Sequence, residues 1–97
     1  MLVLPFAVVG TFGTTSSGAV DPLGRLAALC RRERLWLHVD GAYGGSLVLA
    51  PRFRRLWGAI RRADSLTLDP HKWLAMPFPL GIVLVRDPQA AAAPFRV

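Results

Sequence analysis

A chain of 97 residues suits one small domain at most, and its 53% apolar content is high for a free-standing domain of that size, so it reads as an interior piece of a larger structure. The net charge of +6 arises from separate groups, Arg31, Arg32 and Arg34, then Arg52, Arg54 and Arg55, then Arg61 and Arg62, with no aromatic residues alternating among them; a base-stacking nucleic-acid groove is not expected. No run reaches the roughly 18 apolar residues of a membrane-spanning helix, Met1 to Val9 lacks a basic signal leader, and Cys30, the single cysteine, cannot form an internal disulfide, so the expected setting is soluble and cytoplasmic with no membrane partner.

Phe6 to Gly10 is a short apolar run that ends in the glycine- and hydroxyl-rich segment Gly10 to Gly18, the pattern of a buried strand leading into a loop. A helix follows, with Asp21 expected as its N-cap and Pro22 as its first residue, while Leu23, Leu26, Ala27 and Cys30 recur at the i, i+3, i+4, i+7 spacing of one buried stripe. Arg31 and Arg32 fall in its last turns, where cations complement the helix dipole. Cys30 on that stripe reads as a small core residue rather than a reactive thiol.

Leu35 to Asp40 is the second strand, apolar enough to be buried on both faces as in a parallel sheet. After Gly44 and Gly45, a short helix over Arg52 to Trp57 is expected to bury Phe53, Leu56 and Trp57 before Gly58 interrupts it. Ser65 to Asp69 alternates as a third strand, and Leu80 to Val85 forms a fourth. Only about ten residues separate those two strands, short for a helical crossover, so the fourth should run antiparallel. Ala90 to Ala93, before Pro94, starts a further helix. Strand, helix, strand, helix, strand makes an α/β fold with a mostly parallel sheet.

The chemistry gathers where strands end, because ligands in open parallel sheets sit beyond the carboxyl ends of the strands. The first runs out into Gly13-Thr14-Thr15-Ser16, the second into Asp40-Gly41-Ala42-Tyr43 and the third into Asp69-Pro70-His71-Lys72-Trp73. Eleven of the twelve basic residues are arginine and only Lys72 is lysine. A lysine can lose its proton and condense with an aldehyde, which arginine cannot. Pyridoxal phosphate chemistry needs such a lysine and a carboxylate facing the pyridine nitrogen, and Lys72 and Asp40 fit those two roles. His38, inside a strand, reads as a hydrogen-bonded core histidine, and Tyr43, Trp36 and Trp57 as packing residues. Two histidines 33 positions apart with no cysteine pair match no usual zinc spacing, so no metal is expected.

The blocks Gly13-Thr14-Thr15, His38-Val39-Asp40-Gly41-Ala42-Tyr43-Gly44-Gly45 and Ala63-Asp64-Ser65 through Asp69-Pro70-His71-Lys72-Trp73 resemble the group II pyridoxal-phosphate-dependent amino acid decarboxylases, which include the aromatic-L-amino-acid and glutamate decarboxylases. The likeness covers nearly the whole chain, with Asp40 and Lys72 32 positions apart. It implies that residues 1–97 are part of the fold-type I large domain, with the N-terminal part, the rest of that domain and a small C-terminal domain lying outside. It also implies a carboxy-lyase that removes the alpha carboxylate of an L-amino acid, working as a homodimer; other enzymes of the same fold, such as aminotransferases, and an inactive truncated relic are the alternatives. On this resemblance Lys72 is the Schiff-base lysine and Asp40 pairs with the ring nitrogen. Ala42 packs on one ring face, Thr15 lies near the ring substituents, and His71, with Ser65 and Asp69, holds the phosphate; His71 could also move a proton during turnover.

Overall fold

The computed structural model describes residues 2–96. In chain order it has β1 (Ala7–Thr11), α1 (Leu23–Glu33), β2 (Trp36–Asp40), two 3-10 turns (Gly45–Leu49 and Pro51–Leu56), α2 (Trp57–Ile60), β3 (Ser65–Leu68), α3 (Pro70–Trp73), β4 (Ile82–Val85), α4 (Pro88–Ala92) and a last 3-10 turn (Ala93–Phe95). The strands form one sheet in the order β1-β2-β3-β4. The first three are parallel, and β4 returns antiparallel to β3, as the short connection between them requires.

Alternation along the strands sorts side chains between two faces. Leu37 and Val39 of β2 and Leu66 of β3 pack with Leu23, Ala27 and Cys30 of α1 and with Ile60 of α2, closing the core together with Phe12 and Ala63. Each fully buried aliphatic side chain of that kind stabilises the fold by about 1.5–3 kcal/mol. The opposite face carries Trp36, His38, Ser65 and Thr67, which are joined by hydrogen bonds.

Four local expectations need correction. Asp21 does not cap α1: its Oδ2 accepts from the Thr11 N–H at 2.8 Å, and Pro22, at φ −72° and ψ 70°, precedes a helix that begins at Leu23. The buried stripe over Leu23, Ala27 and Cys30 is as expected, and α1 ends where Arg34 turns left-handed at φ 57° and its N–H reaches the Cys30 carbonyl. The helix expected over Arg52 to Trp57 is instead a 3-10 turn that passes into α2, and Gly58 lies inside α2 rather than breaking it. A helical glycine costs only about 1 kcal/mol, which anchoring of the turn by buried Ile60 offsets. Trp57 remains 49% exposed, because Ile60 is the α2 residue that enters the core. Finally, β1 is not a fully buried strand, since Val9 is 62% exposed, and β2 is not buried alike on both faces but alternates between fully and partly buried positions.

Candidate functional site

The carboxyl ends of the three parallel strands lie level. Thr11 is in register with Asp40, and Asp40 with Thr67. Backbone bonds lock the row: the Phe12 N–H donates to the Asp40 carbonyl at 2.8 Å and the Gly41 N–H to the Thr67 carbonyl at 3.0 Å. Beyond the row, the loops after β1 and β2 touch backbone to backbone. A Cβ on Gly44 would lie 2.4 Å from the Phe12 carbonyl oxygen, and one on Gly13, at φ 83°, would lie 2.8 Å from the Gly44 Cα. Any side chain at Gly44 would push the Thr14–Thr15 turn away from the Asp40 turn.

Asp40 closes β2 and turns the chain. Its Oδ1 accepts from the Ala42 N–H at 3.1 Å, a local bond that fixes the carboxylate's orientation. Among the described residues Oδ2 has no hydrogen-bond partner, so that oxygen is open to a donor. Gly41 is buried beside it and Ala42 is half-buried.

Lys72 stands on α3, one turn past the end of β3, with Pro70 opening the helix where a missing N–H costs nothing. Asp69, at the cap position, gives its carboxylate not to the helix amides but to Lys72: Oδ2 and Nζ are 3.0 Å apart, with the side chains 19% and 34% exposed. His71 is tied down by Nδ1, which faces both the N–H (3.1 Å) and the carbonyl (3.0 Å) of Leu80. One ring nitrogen serves only one of these at a time: accepting from the N–H puts the ring proton on Nε2, and donating to the carbonyl puts it on Nδ1. Either way the imidazole anchors α3 to the segment before β4. Trp73 packs edge-on against Tyr43, with ring centroids 5.5 Å apart and planes at 66°. That contact joins the Asp40 turn to the Lys72 helix.

The structure therefore brings Asp40, Ala42, Asp69, His71 and Lys72 to the same end of neighbouring strands, with the exposed Thr15 on the adjoining loop. Thr14 satisfies its own turn: its Oγ1 accepts from the N–H groups of Ser17 (3.4 Å) and Ala19 (3.2 Å). Ala42 and Asp69 also line an apolar cavity of about 220 Å³, to which Asp40 and Lys72 do not contribute.

Ser65 is not brought to this cluster. It opens β3 rather than closing it, about 10 Å from the strand's far end at 3.3 Å per residue. It is 8% exposed, and its Oγ lies 2.8 Å from Trp36 Nε1 and 2.7 Å from His38 Nδ1. His38 Nε2 in turn lies 2.8 Å from Thr67 Oγ1. His38 is thus the hydrogen-bonded strand histidine that its position suggests. Sequence reasoning misses Thr67, although its alternation with Ser65 on the strand that leads to Lys72 is an available signal. It also misses the contact of Tyr43 with Trp73, which no spacing announces.

Residues 2–97 match the family model described as "Pyridoxal-dependent decarboxylase conserved domain". The chain is 50% identical over 93 residues to an aromatic-L-amino-acid decarboxylase of Bacillus atrophaeus, a match covering 96% of this chain and 19% of that protein. It is 49% identical over 84 residues to a cysteine sulfinic acid decarboxylase of Rattus norvegicus, covering 87% of this chain and 17% of that one. Among solved structures it resembles the Oryza sativa TDC with PLP and tryptamine, at a TM-score of 0.85 and 40% identity over 94% of this chain and 19% of the other. The chain thus spans about a fifth of the length of the relatives it matches. With 96 of its 97 residues inside the family match, it belongs to the pyridoxal-dependent decarboxylase family.

Proposed function

We propose that this chain forms the lysine-bearing part of a pyridoxal-phosphate-dependent carboxy-lyase that releases the alpha carboxylate of an L-amino acid as carbon dioxide. Lys72 carries the cofactor and Asp40 faces its pyridine nitrogen. One observation carries the reading: the turn that holds Asp40 and the helix that holds Lys72 leave neighbouring parallel strands at the same end, pinned together by Tyr43 against Trp73. The donor set suits the cofactor, since an amine, a carboxylate with one open oxygen and small residues at 41, 42 and 44 leave room for a flat ring. The decarboxylase names of the relatives support the same activity.

Bound pyridoxal phosphate supplies the electron sink into which the breaking carbon–carboxylate bond leaves its pair. The chain's own residues do the rest. The Asp69 carboxylate, 3.0 Å from Lys72 Nζ, would hold the amine in place at the end of β3. Asp40 Oδ2 would face the ring nitrogen and favour its protonated form, where opposite charges stabilise each other, and the Ala42 N–H keeps that carboxylate aimed. Ala42 would pack on one face of the ring, Thr15 would lie near its substituents, and His71 would help hold the phosphate. The family resemblance supports a homodimer; no helix among the described residues is long and apolar enough to cross a membrane, and the lone buried thiol suits a reducing, cytoplasmic setting.

Borohydride reduction in the presence of pyridoxal phosphate should leave a pyridoxyl label on Lys72, read by peptide mass, and none on that peptide in Lys72→Ala. Labelling that ignores this substitution would overturn the assignment. Carbon dioxide and an amine from an L-amino acid are the expected products; a keto acid without carbon dioxide would instead indicate an aminotransferase.

A further inference from the structure

Arginines that are scattered along the sequence meet at the end of the sheet remote from Lys72. Arg31 and Arg34 come from the end of α1, Arg61 and Arg62 from the turn between α2 and β3, and Arg86 from the residue after β4, whose antiparallel course returns it to the start of β3. Together they line a cleft of about 800 Å³. Asp64 is the one carboxylate in its wall, and its Oδ2 already accepts from the Leu37 N–H at 2.8 Å. The ion pairs among the described residues are Arg32 with Glu33 and Lys72 with Asp69, so none of the five cleft arginines is paired.

We propose that this cleft is a binding site for a compact polyanion, an oligophosphate, separate from the lysine-bearing end of the sheet. Gathering five guanidinium groups against one carboxylate raises their mutual repulsion, which a multivalent anion removes. The guanidinium fork matches phosphate oxygens in pairs, and one of the five is held by the fold. Arg86 Nε donates to the Ala63 carbonyl at 3.0 Å, and the backbone of Arg34 turns left-handed at the end of α1. The volume lies within the range of small-molecule sites and exceeds what a single phosphate fills. No aromatic side chain lines it, so a nucleobase finds no stacking platform. The phosphate chain is what the cleft can recognise, which favours a small oligophosphate over a nucleic-acid strand.

Calorimetric titration of the full chain with inorganic tripolyphosphate tests this. One saturable site is expected, weakened at least about tenfold by Arg31→Gln with Arg61→Gln, a difference of 1.4 kcal/mol or more. The control pair Arg54→Gln with Arg55→Gln removes the same charge outside the cleft and should leave the affinity unchanged. Lys72→Ala should also leave it unchanged, so that failure of the cofactor assignment would not mimic failure here. Circular dichroism of each variant reports whether it folds, and single Arg→Gln changes replace a pair that does not. Equal weakening by both pairs would reveal only a diffuse field and overturn the proposal. So would no saturable binding, or a single-stranded oligonucleotide bound more tightly with a stoichiometry set by its length.

Discussion

The two faces of the sheet are made by the same alternating strands, yet different forces hold them. On the helix-covered face Leu37, Val39 and Leu66 are 1%, 0% and 9% exposed and make no specific bond. On the other, Trp36, Ser65, His38 and Thr67 form one run of hydrogen bonds, and its last member is in register with Asp40. Stability therefore depends on volume on the first face and on completed pairs on the second. The face that leads to the candidate site is the one whose geometry is directional.

The sharpest way to break this contrast is to remove volume from each face. Leu37→Ala should destabilise the chain by about 3 kcal/mol in urea unfolding, since it leaves a cavity against α1 and α2. Val9→Ala, on a strand position 62% exposed, should cost less than about 0.5 kcal/mol. Similar losses at both positions would mean that the second face is as tightly packed as the first.

On the polar face the smaller change is deletion of His38. In His38→Ala both Ser65 Oγ and Thr67 Oγ1 lose a partner, and Ser65 is too buried for water to replace it freely. About 1–2 kcal/mol should be lost. Combining His38→Ala with Ser65→Ala should cost clearly less than the sum of the separate changes, because the pair shares one bond. Strict additivity would show that the bond contributes nothing.

The same contrast separates what the amino-acid sequence discloses from what it hides. Periodicity exposes apolar stripes, so Leu23, Ala27 and Cys30 on α1 are legible, as is the antiparallel return of β4 from its short connection, whereas the alternation of β2 is hidden by its apolar run. Asp40 and Lys72 stand out because a carboxylate closes one strand and the lone lysine follows the end of the next. What escapes are competitions for a single polar group. Asp21 looks like a cap until the Thr11 N–H claims it, and Ser65 looks like a phosphate ligand until Trp36 and His38 enclose it at the wrong end of its strand. Trp57 looks like core, but a 3-10 turn shifts the angular position of everything after Pro51 and leaves Ile60 facing inward instead. Scattered arginines give no sign that chain reversal at β4 brings Arg86 to Arg61 and Arg62.

Cys30 offers a test of the buried face that needs no cavity. Desolvation, with a lesser contribution from the Asp64 charge, raises its thiol above the ordinary value of 9.0. The folded chain then holds that proton more tightly than the unfolded chain does, so the stabilising contribution is complete below pH 9.0 and is lost as pH rises through the folded value. Above pH 9.0 the native chain should lose up to about 1.4 kcal/mol per pH unit more than Cys30→Ala does, measured as the difference between their unfolding free energies. Parallel curves for the two would mean that water reaches the sulfur, and that α1 does not seal this part of the core.

The smallest effect on stability is expected where the effect on chemistry is largest. Lys72 is held by one ion pair to Asp69 at the rim, with about a third of its side chain exposed, and a pair in that setting contributes at most about 1 kcal/mol. Lys72→Ala should therefore unfold within about 1 kcal/mol of the parent while losing the pyridoxyl label altogether. The two measurements separate a residue kept for reactivity from one kept for structure: Leu37 is deep, unreactive and destabilising to remove, and Lys72 is shallow and dispensable to the fold. A large loss of stability in Lys72→Ala would make the ion pair with Asp69 a structural tie between α3 and the end of β3, and the lysine's isolation among eleven arginines would then need no chemical explanation.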